Sequence, residues 1–119
     1  MSSKFEYLPE DEVLLIRTSG TYNLESQIDL LKEVIVKAKE YNCERFLVDH
    51  RETEIIAKTL PTYSRPALFD ELEFKRTWRA AMVVKELNND TQFYETVFKN
   101  KGWQIKGFDD YDAAMNWLI

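Results

Sequence analysis

VLLIRTSGTYNLESQIDLLKEVIVKAKEYNCERFLVD, residues 13–49, holds the clearest architectural signals of the chain. Its opening run, Val13-Leu14-Leu15-Ile16, is apolar on both faces, the mark of a strand buried on both sides, and it continues through Arg17-Thr18-Ser19 to Gly20. Asn23 is placed to cap a helix, and Glu25 falls in the first turn, where the helix dipole favours a negative charge. Leu24, Ile28, Leu31, Ile35 and Ala38 recur at steps of four and three, and Leu30 and Val34 widen the stripe. Glu25, Asp29, Lys32, Glu33, Lys37 and Glu40 lie mostly opposite, so the segment is an amphipathic helix ending near Tyr41-Asn42. Arg45-Phe46-Leu47-Val48-Asp49 then reads as a second buried strand. Strand, helix and strand in succession make a right-handed crossover between parallel strands.

Before this stretch, Phe5-Glu6-Tyr7-Leu8 alternates and is followed by the polar turn Pro9-Glu10-Asp11-Glu12, which makes an antiparallel hairpin with the strand from Val13. After it, His50 to Thr77 contains Pro61 and Pro66 and reads as a loop, then a helix within Thr59 to Glu73, with Pro66 in its first turn or dividing it. Trp78 to Val84 is a further strand. Asn89 with Gln92 approximates a capping box ahead of Phe93, Val97 and Phe98, and Gly102 stops that helix. Trp103 to Phe108 alternates as an edge strand does. Asp109 or Asp110 caps a last helix with Ala113, Ala114, Trp117 and Leu118 inward. The expected architecture is α/β: a mixed five-stranded sheet in the order β-β-α-β-α-β-α-β-α, opened by the hairpin, in one domain spanning 1–119. Alternation in the first and last strands places them at the sheet edges, with the three apolar strands between.

Composition narrows the function. The chain has 119 residues, 45% hydrophobic and 13% aromatic, which is globular and not disordered. Sixteen basic against 21 acidic side chains give a net charge of −5, with no long-range attraction for nucleic acid or anionic lipid. One cysteine, Cys43, forms no intrachain disulfide, and with one histidine it makes no Cys/His zinc site. There is no signal-peptide core, and the longest apolar run, Ala80 to Val84, is far shorter than the ~20 residues that span a bilayer. The expectation is a cytoplasmic protein with no membrane insertion, no metal and no cofactor. The three glycines are too far apart for a phosphate loop. Lys75-Arg76-Thr77-Trp78-Arg79 reads as a charged entry to a strand. The carboxylate clusters at Asp70-Glu71-Glu73 and Asp109-Asp110-Asp112 lack calcium-loop spacing and read as solvated or capping groups.

The hairpin, the Gly20-Thr21 entry to the long helix, the Arg45 to Asp49 strand, the Ala80 to Val84 strand and the ending Phe108-Asp109-Asp110-Tyr111-Asp112-Ala113-Ala114-Met115-Asn116-Trp117-Leu118 together resemble the SpoIIAA-like group of STAS domains. The match is to the small bacterial proteins often labelled STAS/SEC14-like, and it covers essentially the whole chain. The resemblance implies a mixed sheet of successive βα units and a regulatory role through protein partners. In some STAS domains a Ser or Thr after the third strand, in an Asp-Ser-(Ser/Thr)-Gly context, is phosphorylated. Here Asp49 takes the Asp position, but His50-Arg51-Glu52 follow, so hydroxyl and glycine are both missing and the switch does not carry over.

The candidate binding residues are Tyr22, Asp49, His50, Arg51, Tyr63 and Lys85. Asp49, His50 and Arg51 leave the end of a central strand, where open α/β sheets place ligands; Lys85 leaves the next strand, and Tyr22 follows the exit of the second. An acid, an imidazole and a guanidinium can bind an anion or move a proton. Neighbours along a strand point to opposite faces, however, and no second histidine or activated cysteine completes a nucleophilic set. The competing reading makes Asp49 a cap or the partner of a base and His50 a solvated side chain. Cys43 reads as packing. Tyr63, Phe69, Phe74, Phe93, Tyr94, Phe98 and Trp103 fit one core, a flap over a small apolar or lipid-like ligand, or a patch that pairs two copies. The expected function is a non-catalytic regulatory or protein-interaction module, with an unknown protein partner or a homodimer, using the Asp49 to Phe74 face. The alternatives are a carrier or sensor of a small apolar or acidic ligand, and an enzyme using Asp49 and His50.

Overall fold

The computed structural model describes residues 1–55 and 65–119, and Tyr63 therefore lies outside the described residues. The chain forms β1 (Ser2–Leu8), β2 (Val13–Tyr22), α1 (Leu24–Tyr41), β3 (Arg45–Ile55), α2 (Arg65–Glu71), β4 (Arg79–Val83), α3 (Asn89–Asn100), β5 (Gln104–Phe108) and α4 (Tyr111–Leu118). The strands form one sheet in the order β1-β2-β3-β4-β5; β1 and β2 are antiparallel and every later pairing is parallel. This is the mixed α/β architecture that the residue pattern predicts, with the alternating strands at the edges.

Capping decides where α1 begins and ends. The Asn23 side chain accepts from the Ser26 amide, and Asn42 takes the left-handed conformation at the C-terminus. The buried stripe of α1 is rotated from the one the apolar spacing predicts. Gln27, Leu30, Leu31, Val34 and Ala38 are buried, whereas Ile28 and Ile35 are half-buried. The rotation brings a glutamine into the core, held by a hydrogen bond from its Nε2 to the Tyr94 hydroxyl at 3.2 Å. One smaller boundary also moves: Asn88, not Asn89, caps α3 by accepting from the Thr91 amide, while of the two caps offered for α4 it is Asp110 that accepts from the Ala113 amide. Pro66 falls in the first turn of α2, where its missing N–H costs nothing. On α4, Ala114 and Leu118 are buried, Trp117 is half-buried and Ala113 is exposed.

The sheet separates two apolar layers. Under α1, Leu14, Ile16, Phe46, Leu30 and Val34 pack together, and Leu31, Phe69, Phe98 and Trp103 extend that side. Under α4, Val13, Leu15, Leu47, Ala81, Val83, Ala114 and Leu118 form the second layer. Each fully buried Leu, Val or Phe contributes roughly 1.5–3 kcal/mol over exposure, so both layers are needed. The aromatic residues of the second half belong mostly to the α1 side. Phe69 lies 4.6 Å from Phe74, 4.8 Å from Phe98 and 5.5 Å from Trp103, centroid to centroid, so the described rings pack on one another.

Candidate functional site

β3 runs six residues beyond the Asp49 boundary predicted for it, through a stretch predicted as loop. The extension is possible because β2 also continues, through Tyr22, so that Ser19 to Tyr22 pair with Glu52 to Ile55. β4 ends opposite Asp49, so beyond that point β3 has a neighbour on one side only and tolerates charged side chains. Tyr22 is accordingly the last residue of β2 and not a loop residue after it.

The register shifts here by one residue: Arg17 pairs with Asp49, but Ser19 pairs with Glu52, leaving His50 and Arg51 opposite Thr18. This is a β-bulge, and bulges re-aim side chains. Before it, Phe46 and Val48 face the α1 layer and Leu47 faces the α4 layer. His50 continues on the α1 side, where its ring lies 4.9 Å from that of Tyr22. Asp49 and Arg51 share the α4 side. Beyond the bulge Thr53 returns to the face of His50, since its hydroxyl lies 2.5 Å from that of Thr18.

On the α4 side, Arg51 donates twice to Asp49, from Nε to Oδ1 at 2.9 Å and from Nη2 to Oδ2 at 2.8 Å, and its backbone amide adds a third bond to Oδ1 at 3.1 Å. The guanidinium also lies 5.7 Å from the Tyr111 ring centroid. The hydrogen bonds from Arg51 hold the Asp49 carboxyl below the ordinary carboxylate range, although burial opposes them. The same pairing raises Arg51. Burial raises the Tyr111 hydroxyl.

On the α1 side, His50 is 5% exposed and its Nδ1 lies 2.6 Å from the Thr18 hydroxyl, which in turn lies 3.3 Å from the Asp49 carbonyl. Either tautomer closes this chain. With a proton on Nδ1, the ring donates to Thr18, which donates onward; with Nδ1 bare, Thr53 donates to Thr18 and Thr18 to the ring. Burial lowers the imidazole to about 4, against a smaller opposing influence of the Asp49 charge, so the ring is neutral at neutral pH.

The predicted cluster is therefore split. Asp49 is the partner of a base, as the competing reading has it, but His50 is buried and not solvated. The sheet separates their side chains, so Asp49 does not orient His50 as an acid–base pair requires. Tyr22 joins His50, Arg51 joins Asp49, and Lys85 is exposed past the end of β4. Cys43 is buried, its Sγ lies 3.1 Å from the Arg45 carbonyl, and burial raises its pKa, which keeps it a thiol; this is the packing role expected of it. Among the described residues, no three His, Cys, Asp or Glu side chains group as a metal ion requires.

A cavity lies beneath α1, walled in part by Phe69, Phe74, Tyr94 and Trp103 of the aromatic set singled out in the sequence, while the place of Gln27 in its wall was not foreseen. It measures about 70 Å³ and is lined mainly by apolar side chains, with Gln27, His50, Lys75, Tyr94 and Gln104 among its polar walls. The Gln27 Oε1 and the Trp103 Nε1 are buried without a hydrogen-bond partner. Each such atom costs roughly 1–3 kcal/mol. The signal was present as Gln27, the one polar residue among Leu24, Ile28 and Leu31, but the apolar spacing placed it beside the buried stripe and not in it.

With this geometry in view, the likeness to known structures is informative. An uncharacterized DUF3478-family protein with a SpoIIAA-like fold from Shewanella loihica PV-4 superposes with a TM-score of 0.63 at 15% identity, over 99% of this chain and 93% of that one. An anti-sigma factor antagonist from Mycobacterium paratuberculosis gives 0.61 at 13% identity, over 98% and 92%. The Bacillus cell fate determinant SpoIIAA in its phosphorylated form gives 0.55 at 11% identity, over 99% and 100%. No protein-family model and no curated protein matches the sequence. The chain has the SpoIIAA-like, or STAS, fold. Among the described residues no helix is long and apolar enough to cross a membrane.

Proposed function

We propose that this chain is a non-catalytic regulatory or protein-interaction module of STAS type that works without a phosphorylation switch, in the cytoplasm, through the face that begins at Asp49. One observation carries the reading: the reactive groups at the β2–β3 bulge are already engaged, Asp49 by Arg51 and His50 by Thr18 of β2, which suits a rigid binding surface and not a reaction centre. The fold supports it, because one of the similar structures, that from Mycobacterium paratuberculosis, is an anti-sigma factor antagonist by name. Glu52 and Glu54, exposed on the extension of β3, are the side chains offered to a partner. The test is quantitative affinity capture from source cells with the wild type and with a Glu52→Lys, Glu54→Lys double variant of equal melting temperature. A protein enriched by the wild type and lost with the variant is the expected result. Equal recovery of every protein by both overturns the reading.

A second reading, a carrier or sensor of a small ligand, is favoured by the unpartnered amide oxygen of Gln27 in the cavity wall. The volume restricts it. About 70 Å³ is half of the ~150 Å³ that accepts a benzene ring, so the occupant is a small molecule or the tip of a larger one. Arg51 lies across the sheet and takes no part. Saturable NMR shifts of the Gln27 amide and the Trp103 indole N–H on titration with propan-1-ol are expected, and strictly linear shifts defeat the reading.

A further inference from the structure

The two edges of the sheet are finished differently. At β5, Phe108 turns its carbonyl toward β4, where it accepts from the Val84 amide, so the neighbouring Gly107 amide points to the open side. That amide is taken by the Glu95 carboxylate of α3 in a short hydrogen bond. Glycine is what permits the approach, since a Cβ at residue 107 would lie 2.6 Å from the Thr91 Cγ2. One edge is thus closed by a side chain from a covering helix, a standard defence against unwanted strand pairing.

β1 has no such cover. It pairs with β2 along all seven residues, Ser2 opposite Ser19 to Leu8 opposite Val13, and among the described residues no hydrogen bond from another element reaches its outer backbone. Its side chains are also self-complementary. About Phe5 as centre, Lys4 and Glu6 stand symmetrically on one face, both exposed, while Phe5 and Tyr7 are half-buried on the other. Lys4 lies directly opposite Arg17, a like-charged pairing, and among the described residues neither Lys4 nor Glu6 joins an ion pair.

We propose that the outer edge of β1 binds a second copy of this chain, strand to strand and antiparallel, about a two-fold axis through Phe5. Such pairing sets Lys4 against Glu6 of the second copy and Glu6 against its Lys4. The row across the sheet becomes Glu6, Lys4, Arg17 and Asp49, so that the adjacent positive charges are flanked by acids. On the opposite face Phe5 meets Phe5 of the second copy, and both lose exposed apolar surface. The result is a continuous ten-stranded sheet with isologous contacts, the commonest symmetry of soluble oligomers. This goes beyond the regulatory reading and stands or falls separately from it.

The experiment is sedimentation velocity of the full chain from micromolar to near-millimolar concentration. The wild type is expected to show a concentration-dependent monomer–dimer equilibrium that weakens with salt. Lys4→Glu sets acid against acid across the two-fold axis, and Glu6→Lys sets lysine against lysine. Each alone raises the dissociation constant about thirtyfold, as two opposite pairs become two like pairs. Mixing the two variants restores a heterodimer, because each strand then carries one sign only. A wild type that stays monomeric throughout, a dimer indifferent to both variants, or a mixture that fails to recover overturns the proposal. Both positions are exposed, and matched thermal melts of the variants confirm that folding is unchanged.

Discussion

The two faces of the sheet meet at one peptide bond, between Asp49 and His50, and they resolve their polar groups differently. On the α4 side the carboxylate is fully engaged by Arg51, Leu47, Ala114 and Leu118 are buried in the layer beneath, and the Arg79 Nε, buried without a hydrogen-bond partner, belongs to a guanidinium that lies over the Trp117 ring. On the α1 side the imidazole is neutral, hydrogen-bonded through Thr18, and shares its layer with a cavity and an amide lacking one partner. The contrast is between a charged group whose partners are complete and a layer with room left beside a neutral one. A carboxylate whose partners are complete has little to gain from a ligand, whereas a buried amide oxygen left unpaired beside a cavity carries a standing cost that a ligand or a mutation can remove.

The α4 side is the one to perturb first. Leu118→Ala removes a fully buried side chain from the α4 layer and is expected to cost about 3–4 kcal/mol, read as a lowered urea midpoint at unchanged slope. A loss below about 1 kcal/mol would mean that this layer is looser than its burial implies.

Acid gives the next largest effect, and it acts through the other face. The folded pKa of His50, about 4, lies below its ordinary 6.5. Between these values the unfolded chain binds the proton and the folded chain does not, so stability is full above pH 6.5 and falls as pH drops toward 4. The loss attributable to His50 is about 3 kcal/mol. Asp49, held low by Arg51, contributes stability above its unfolded pKa that is lost as pH falls through its folded value, so the two windows follow one another downward. Urea melts across this range should steepen for the wild type and flatten for His50→Gln, which keeps a hydrogen-bonding group toward Thr18 but does not titrate.

Arg51→Ala should cost about 2 kcal/mol at neutral pH, because it strands a carboxylate that is nearly buried while removing a base that is partly exposed. The same variant should raise the Asp49 pKa in an NMR titration. The smallest effect has the opposite sign. Gln27→Met replaces the unpaired amide by an apolar chain of similar length and is expected to stabilise the protein by about 1 kcal/mol, against the loss of the bond to Tyr94. Destabilisation here would mean that the Tyr94 contact outweighs the unpaired oxygen.

Much of the architecture was legible in residues 13–49 because local signals there agree: Asn23 caps, the apolar positions repeat, Asn42 ends the helix, and the adjoining strands are apolar on both faces. The alternation of Phe5-Glu6-Tyr7-Leu8 and of the strand before Phe108 placed both edges correctly. The continuation of β3 was not legible. His50-Arg51-Glu52-Thr53-Glu54 carries the polarity of a loop, and it becomes strand only because Ser19 to Tyr22 supply hydrogen-bonding partners from elsewhere in the chain. The bulge opposite Thr18 also depends on that pairing, whereas the separation of Asp49 from His50 is a rule of the pleat alone. The cavity depends on a rotation of α1 by a fraction of a turn, which the apolar spacing alone does not resolve.

The strands lie side by side in the order in which they are synthesised. No later strand has to be inserted between two that are already joined, and each βα segment leaving the ribosome finds its docking partner in the segment just completed. The order permits growth of the sheet from the hairpin toward the C-terminus, with the edge shielded by Glu95 last in the chain. Glu95, carried by α3, is made before β5, so the last edge meets its shield as soon as it is laid down, whereas each earlier edge is covered by the next part of the same chain.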